Sequence, residues 1–331
     1  MENKKSNLSE NKYTAEDLKI MQSWSLERKI QVTQTRIMEW YIRNNGKVYV
    51  SFSGGKDSTV LLDLVRRIYP DIQAVYVDTG LEYPEIKQFV RSKENVTILR
   101  PEMNFRKVVE TYGYPLISKE ASLYIYYARN ALARGDIDRY NYYVTGNRIN
   151  PKTGESYRFM SLSKTSMKVL QSDIPVSNKC CDVMKKTPLK KFQKQTGMRP
   201  ILATMANESR IRYNGWLKNG CNSFDSKDPK SQPMSFWTEQ DVLRYLKEFN
   251  IPYASVYGEI VQDKNGKYAT TGCKRTGCVF CGFGAHLEKE PNRFQMLKKT
   301  HPKLWDYCMR DWDKGGLGMK DVLEYINVKI E

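Results

Sequence analysis

The chain has 331 residues, and 40% of them are apolar, which is enough for a sizeable core in one large domain or one and a half. No apolar run reaches the length of a membrane span, and the N-terminal residues lack the apolar stretch of a signal peptide, so we expect a cytoplasmic protein without membrane contact. Lys and Arg number 54 against 37 Asp and Glu, a net charge of +17. This balance favours either a polyanionic partner such as nucleic acid or an ordinary lysine-rich surface.

The first half of the chain predicts a parallel sheet covered by helices. A polar tail and one or two helices fill residues 1–44, and a β-rich run at residues 48–52 follows. After the next loop come a helix, a strand at residues 72–78, a helix at 84–91, a strand at 96–99 and a helix at 105–112. Strands that alternate with helices in this way indicate an α/β fold with a doubly wound, mainly parallel sheet.

The loop between the first strand and its helix, residues 53–58, contains Ser-Gly-Gly-Lys-Asp-Ser. The glycines let the backbone approach a ligand, and the helix that starts there offers N–H groups at the positive end of its dipole. Lys56 adds a charge, and Ser53 and Ser58 add hydroxyl donors. The loop is therefore predicted to hold phosphate. Its spacing differs from the Walker loop and from the dinucleotide fingerprint, and the alternative is a turn that only caps a helix.

A second candidate site follows the strand at residues 72–78. Ligands of doubly wound sheets bind at the carboxyl ends of the strands. Asp78, which Thr79 and Gly80 follow, is therefore expected to contact a ribose or a metal-bound phosphate. The alternative is a residue that only turns the chain at the end of the strand.

The second half of the chain gives weaker signals. A tyrosine-rich helix is predicted at residues 118–134, and a less regular excursion at 135–178. The basic and aromatic composition of that excursion suits nucleic acid, but an ordinary surface insertion is the alternative. Residues 179–189 start a helix or run between two helices. Further on we expect a strand at 201–205, an extended piece at 233–237, a helix capped by Thr238, and helices at 290–300, 302–309 and 319–326.

The seven cysteines are an odd number, and without an export signal we expect no disulfides. Cys180 and Cys181 form one group, and Cys278 and Cys281 form a second in Cys-x-x-Cys spacing. Four thiolates at a 4Fe–4S cluster are the simplest joint interpretation, and a zinc ion held by four cysteines is the competitor. A further alternative is buried thiols plus one redox pair, and Cys273 is a spare candidate ligand.

With the loop and the cysteines in place, the chain resembles the phosphoadenosine phosphosulfate (PAPS) reductase family over residues 45–300. The loop itself is similar to that of the N-type ATP pyrophosphatases, the PP-loop enzymes. This resemblance implies a Rossmann-like fold and an adenine nucleotide as ligand. In the reductases that use the unphosphorylated sulfonucleotide, the two cysteine pairs hold a 4Fe–4S cluster. The resemblance implies Lys56 and Asp57 as catalytic residues and nucleotide contacts from Ser51, Ser53, Gly54, Gly55, Lys56, Asp57, Ser58, Asp78, Thr79, Gly80, Glu208 and Ser209.

The chain departs from the reductases at two places. Reductases carry a nucleophilic cysteine near the C-terminus, whereas no cysteine follows Cys308 here. Met205 stands where the family's Gly-x-Arg-x-x-Glu-Ser segment has an arginine that would grip a sulfate or phosphate. Both departures favour relatives that cleave ATP to AMP and pyrophosphate, with Mg²⁺ bound by Asp57 or Asp78.

We therefore expect an ATP pyrophosphatase that adenylates an acceptor for sulfur transfer. The acceptor would be DNA or tRNA, and the sulfur donor a cysteine desulfurase. The first alternative is a sulfonucleotide reductase that releases sulfite with thioredoxin and uses Cys273 or Cys308 as its nucleophile. The second alternative is a non-catalytic module that senses nucleotides or binds nucleic acid. The expected domains are residues 1–44, the nucleotide-binding region 45–257, and a Cys-x-x-Cys loop with C-terminal helices at 258–331; a homo-oligomer is a further possibility.

Overall fold

The computed structural model describes residues 11–150 and 153–331, so most of the predicted N-terminal tail lies outside the described residues. Contacts divide the chain into two compact units. The first consists of the chain up to Asp78, Glu82–Leu99 and Leu189–Thr276, and the second of Thr79–Leu81, Arg100–Pro188 and Gly277–Glu331. Each unit is built from segments far apart in sequence, because strand pairing joins distant parts of the chain. The domains at 1–44, 45–257 and 258–331 stay a prediction.

The strands are short, and most of them have between two and four residues. They are β1 (Val48–Ser51), β2 (Ala74–Val77), β3 (Val96–Leu99), β4 (Leu116–Ile117), β5 (Asn147–Ile149), β6 (Ser156–Arg158), β7 (Arg199–Ile201), β8 (Asn222–Ser223), β9 (Lys230–Ser231), β10 (Ile260–Gln262), β11 (Tyr268–Thr270) and β12 (Gly282–Phe283).

The α-helices alternate with these strands. They are α1 (Ala15–Gln22), α2 (Leu26–Arg43), α3 (Lys56–Arg66), α4 (Pro84–Arg91), α5 (Phe105–Tyr112), α6 (Lys119–Ala133), α7 (Ile137–Thr145), α8 (Lys164–Leu170), α9 (Thr187–Thr196), α10 (Arg210–Asn219), α11 (Glu239–Glu248), α12 (Arg293–Thr300), α13 (Pro302–Met309) and α14 (Met319–Tyr325). Among the described residues, no helix combines the length and the apolar character that crossing a membrane requires.

The first unit is organised around a six-stranded sheet with the order β3-β2-β1-β7-β9-β8. Its strands pair in parallel except for β8, which runs antiparallel to β9. Val48, Tyr49 and Val50 of the central strand β1 are fully buried, as expected of a parallel strand covered on both faces. The predicted α/β class with a mainly parallel sheet is confirmed.

Two helices precede the sheet, as the sequence predicts for residues 15–44. Thr14 forms a capping box with Asp17 at the start of α1, and Ser25 caps α2. The ammonium group of Lys29, only 2% exposed, lies 2.7 Å from the carboxylate of Asp241 on α11. Because a buried charge is stable only when paired, this contact fixes α2 against α11.

Two predictions in the first unit were wrong. The strand expected at residues 201–205 is β7, which ends at Ile201, because the chain then turns into a short 3₁₀ segment at Ala206–Glu208. The extended piece expected at residues 233–237 is a turn, in which the N–H of Trp237 donates to the carbonyl of Met234 at 3.0 Å. The cap on the following helix is confirmed, since Thr238 and Asp241 form a capping box.

The second unit is mainly helical. It carries a parallel pair of β4 and β12, and an antiparallel hairpin of β5 and β6. The prediction of a less regular excursion at residues 135–178 was wrong, because α7, this hairpin and α8 all fall in that range. The C-terminal helices α12, α13 and α14 lie where the sequence predicts them.

Candidate functional site

The loop at residues 53–58 is held in place by its own hydrogen bonds. The N–H of Ser53 donates to Oγ of Ser58 at 3.2 Å, and the hydroxyl of Ser58 donates to the carbonyl of Gly55 at 2.9 Å. Gly54 has a φ of 73°, and a Cβ at this position would lie 2.7 Å from a methyl group of Val90 on α4. Both the positive φ and the lack of space require glycine there. Contacts within the protein therefore fix the conformation of this loop.

Lys56, the first residue of α3, places a buried cation at this loop. Its side chain is 5% exposed, and its ammonium nitrogen lies 3.3 Å from Glu239, 3.5 Å from Asp57 and 3.3 Å from the carbonyl of Lys274. Burial alone would lower the pKa of Lys56, but the two neighbouring carboxylates outweigh burial and the pKa is raised. Lys56 is therefore positively charged at neutral pH and sits where anion-binding N–H groups begin a helix.

Tyr257 adds a contact to this loop that sequence reasoning missed. Its hydroxyl accepts a hydrogen bond from the N–H of Lys56 at 3.2 Å and lies 2.8 Å from the hydroxyl of Thr276. Burial raises the pKa of Tyr257, so this hydroxyl stays neutral at physiological pH. Neither Tyr257 nor Glu239 has a local signal in the sequence, because each is more than 180 residues from the loop.

Asp57 and Glu208 bring further negative charge to the loop. Burial raises the pKa of Asp57, the charge of Lys56 opposes this effect, and the carboxylate of Glu208 adds to it. Glu208 accepts the N–H of Met205 at 2.8 Å and is paired with Arg212. Ser209 caps α10 through the N–H of Arg212. The structure thus gives Glu208 and Ser209 local structural contacts and brings the charge of Glu208 close to Asp57.

The remaining predicted nucleotide contacts follow β1 and β2. Ser51 ends β1, and Asp78 follows β2 in the first unit, with its carboxylate 3.3 Å from the ammonium nitrogen of Lys87. Thr79 and Gly80 come next in the chain and belong to the second unit. Thr79 is buried, and Gly80 has a φ of 78°, which glycine adopts without strain.

The second unit contains the cysteine cluster, which consists of Cys180, Cys181, Cys278 and Cys281. All four line one small cavity, together with Leu81, Phe105, Pro115, Met184 and Lys185. The sulfur atoms of Cys180 and Cys181 are 4.0 Å apart. The thiol of Cys180 donates a hydrogen bond to Cys181, and Lys119 adds positive charge, so the pKa of Cys181 lies well below its usual value. This environment suits a thiolate.

The two cysteine pairs are nearly a hundred residues apart in the sequence, and the backbone brings them to one cavity. Cys180 and Cys181 precede a π-helical turn, Asp182–Lys186, which leads into α9. On the other side, the N–H of Cys281 donates to the carbonyl of Cys278 at 3.1 Å in a tight turn before β12. A Cβ on Gly282 would lie 2.7 Å from the carbonyl oxygen of Pro115, the residue that precedes β4. Glycine therefore allows the β4–β12 pairing that positions this turn.

The four thiols of the cysteine cluster are candidate metal ligands. Within residues 11–150 and 153–331, no group of three or more His, Cys, Asp or Glu side chains is arranged to hold a single metal ion. Zinc would need four sulfurs gathered around one point, whereas each cysteine ligand of a 4Fe–4S cluster binds a different iron. Four thiols line one apolar cavity with Lys119 and Lys185 nearby, and both the 4Fe–4S cluster and the zinc ion stay predictions.

The other three cysteines have separate surroundings. Cys308 is fully buried, and burial raises its pKa far above the usual value. Cys221 is also buried and accepts a hydrogen bond from the hydroxyl of Ser235 at 3.3 Å. Cys273 is partly exposed, lies in the first unit and is not among the residues that line the cavity. Cys308 is therefore inaccessible to a substrate as a nucleophile, and Cys273 is the most solvent-accessible of the three.

Comparison with known proteins supports the resemblance. A model of the phosphoadenosine phosphosulfate reductase domain matches residues 47–148 and 150–282. The adenosine 5'-phosphosulfate reductase of Staphylococcus haemolyticus is 26% identical over 239 residues, which cover 72% of this chain and 73% of that protein. The enzyme of the same name from Halalkalibacterium halodurans is 24% identical over 262 residues, covering 76% and 81% of the two chains.

Two further similarities were found. An uncharacterised protein of Methanocaldococcus jannaschii is 24% identical over 278 residues, and the match spans 82% of this chain but 42% of that protein. The crystal structure of a phosphate complex of PAPS reductase from Candida auris matches with a TM-score of 0.38 and 13% identity, covering 78% of this chain and 99% of that one.

Proposed function

Because the chain belongs to the phosphoadenosine phosphosulfate reductase family, we propose that it is an enzyme that binds an adenine nucleotide at the loop of residues 53–58 and cleaves ATP. The products would be pyrophosphate and an adenylated acceptor, which then releases AMP when sulfur replaces the activated oxygen. The observation that carries this proposal is the buried, charged Lys56 at the start of α3, beside a preformed loop. A cation held at helix N–H groups suits a polyphosphate.

In this proposal, an acceptor oxygen attacks the α-phosphorus of ATP. A new P–O bond forms, the bond between the α-phosphorus and the bridging oxygen breaks, and pyrophosphate leaves. Lys56 and the N–H groups of the loop would hold the leaving phosphates, while the hydroxyls of Ser53 and Ser58 donate to phosphate oxygens. Mg²⁺, which Asp57 or Asp78 would hold, supplies charge neutralisation when bound. Catalysis would be mainly electrostatic and positional.

We further propose that the cysteine cluster holds a 4Fe–4S cluster through Cys180, Cys181, Cys278 and Cys281. When bound, this group would be structural or would supply sulfur to the acceptor. Lys119 and Lys185 would balance the negative charge of the thiolate ligands. DNA or tRNA as acceptor and a cysteine desulfurase as sulfur source belong to the same proposal, and the net charge of +17 supports a nucleic acid.

A sulfonucleotide reductase is the second candidate, and two observations favour it. The relatives from Staphylococcus haemolyticus and Halalkalibacterium halodurans carry the name adenosine 5'-phosphosulfate reductase, and Cys273 is a partly exposed thiol in the same unit as the loop. A thiolate would attack the sulfur of the sulfonucleotide, forming a sulfur–sulfur bond while the sulfur–oxygen bond breaks and AMP leaves. The thiols of a thioredoxin would then release sulfite and become oxidised to a disulfide.

Product analysis separates the two candidates. The anaerobically purified full chain is incubated in parallel with ATP, Mg²⁺ and DNA or tRNA as acceptor, and with adenosine 5'-phosphosulfate and reduced thioredoxin. The ATP proposal expects pyrophosphate from the first mixture, lost in Lys56→Ala and retained in Cys273→Ser. If the second mixture yields sulfite, and Cys273→Ser no longer does, the chain is a sulfonucleotide reductase and the ATP proposal is wrong. No product in either mixture, despite nucleotide binding, would indicate a non-catalytic module.

A further inference from the structure

The second unit carries an unusual concentration of exposed aromatic side chains between residues 119 and 162. Of the 18 large hydrophobic side chains that are exposed in the described part of the chain, eight lie in this segment. Helix α7 contributes no buried residue at all. Because no residue of α7 is fully buried, this helix gains less from the hydrophobic effect than a core helix does, and its exposed apolar side chains are available to a partner. These eight are Tyr126, Tyr127, Leu132, Ile137, Tyr142, Ile149, Tyr157 and Phe159.

Several of these rings form one continuous series, which we name the aromatic face. Tyr126 and Tyr127 on α6 have ring centroids 5.6 Å apart, and Tyr127 stacks on Tyr143 of α7 at 5.1 Å with an interplanar angle of 29°. Tyr143 meets Tyr142 edge to face at 5.0 Å. Rings fixed by their neighbours lose little conformational freedom when a further ring stacks on them. The aromatic face is defined by Tyr126, Tyr127, Tyr142, Tyr143, Arg148 and Phe159.

Arg148 places a permanent positive charge within the aromatic face. Its guanidinium carbon lies 4.6 Å from the ring centroid of Tyr142 and 4.2 Å from that of Phe159. One nitrogen donates to the hydroxyl of Tyr124 at 2.7 Å. The guanidinium thus lies over two rings of the face, where its permanent charge can attract a phosphate.

Three arginines lie on the elements that carry or adjoin the aromatic face: Arg139 on α7, Arg148 on β5 and Arg158 on β6. Asp136 and Asp138 lie at the start of α7 and partly offset them. Exposed rings beside a net positive charge match the two needs of an unpaired nucleotide strand, stacking for its bases and cations for its phosphates.

We propose that the aromatic face binds single-stranded nucleic acid. A second copy of the chain is a poorer occupant, because a two-fold contact through the same face would gather the three arginines of each copy, Arg139, Arg148 and Arg158, into one interface. A duplex is a poorer occupant too, since its bases are already stacked and cannot lie on tyrosine rings. Binding itself is independent of nucleotide cleavage; only its use as the acceptor rests on the proposed function.

Fluorescence anisotropy with the full chain tests this inference. The probes are labelled 20-nucleotide dT and rU strands and a 20-base-pair duplex, each titrated at several salt concentrations. The double substitution Tyr142→Ser and Phe159→Ser removes two exposed rings without removing charge. The matched control is Tyr112→Ser, an equally exposed tyrosine at the end of α5 in the same unit, and circular dichroism verifies the fold of each variant.

We expect the single strands to bind more tightly than the duplex, with affinity that falls as salt rises. The double variant should lose at least about tenfold in affinity, and the control less than about twofold. The comparison of dT with rU distinguishes DNA from RNA as the preferred strand. The inference would be overturned if both variants lost affinity equally, or if duplex and single strand bound equally well. It would also be overturned if the chain bound no strand and sedimentation showed a dimer that the double substitution abolishes. None of these results depends on whether ATP is cleaved.

Discussion

The loop at residues 53–58 and the cysteine cluster are assembled in different ways. The loop is made of consecutive residues, and hydrogen bonds between Ser53, Gly55 and Ser58 fix its conformation. The cysteine cluster joins two segments nearly a hundred residues apart. Within it, the sulfur atoms of Cys180 and Cys181 lie 4.0 Å apart. The first site is shaped by its own backbone, whereas the second depends on the pairing of β4 with β12.

This difference indicates what each site should do when its ligand is absent. A preformed loop should bind its nucleotide with little rearrangement, and a substitution there should act mainly through a lost contact or through strain. Four thiols around an apolar cavity should gain most of their order from the group that we propose they hold. The predictions below sharpen that contrast, beginning with the largest effect.

Removal of one cluster ligand should abolish metal binding. Cys281→Ser replaces a thiolate with a hydroxyl, which binds iron poorly, so the iron content is expected to fall from about four per chain to near zero. Iron and sulfide assays with a visible absorption spectrum of anaerobically purified protein measure this. Cys221→Ala, at a buried cysteine of the first unit, is the control and should leave the iron content unchanged. A colourless wild-type protein with one zinc would refute the cluster.

A methyl group at Gly54 should strain the loop. Gly54→Ala must adopt a φ of 73° and also displace Val90, so we expect a loss of about 2–4 kcal/mol in the free energy of unfolding. Gly197→Ala has a similar φ of 69° with no atom within 4 Å, and should lose only about 1 kcal/mol. Urea denaturation followed by tryptophan fluorescence compares the two. Equal losses would mean that the packing of α4 against the loop carries no energy.

Loss of the Tyr257 hydroxyl should weaken the loop more modestly. Tyr257→Phe removes the acceptor of the Lys56 N–H and a partner of Thr276, at an expected cost of about 1 kcal/mol in the free energy of unfolding without ligand. Tyr253→Phe, on a neighbouring tyrosine, is the control and should change the free energy by less than about 0.5 kcal/mol. The same denaturation experiment gives both values, and a larger effect at Tyr253 would contradict the assigned contact.

The smallest effect is expected at Glu239, which pairs with Lys56 at 3.3 Å but is half exposed. Glu239→Gln removes a negative charge that competes with phosphate, so nucleotide affinity should rise by up to about fivefold, in line with the low energy of exposed ion pairs. Glu248→Gln, at the other end of α11, is the matched control and should leave affinity unchanged. Titration calorimetry with ATP provides the comparison. Weaker binding by Glu239→Gln would instead make Glu239 part of the nucleotide site.

Features fixed by consecutive residues could be predicted from the sequence, and features fixed by distant contacts could not. The strand, loop and helix around Lys56 follow from alternating apolar residues and two glycines, and the capping box of Thr238 follows from its spacing to Asp241. The contact of Tyr257 with the loop has no local signal, since 201 residues separate it from Lys56. The prediction for residues 135–178 missed α7, in which every side chain is exposed or only partly buried, so its place in the fold is not marked by core residues.

The central claim is that Lys56 and its loop bind the phosphates of an adenine nucleotide. Titration calorimetry of ATP with Mg²⁺ into the wild-type chain and into Lys56→Met, which keeps the length of the side chain but removes its charge, tests that claim most directly. We predict binding by the wild type and affinity about a hundredfold lower in the variant, the effect of losing a charge-assisted contact. Equal affinities, or no binding of any adenine nucleotide by the wild type, would contradict the claim.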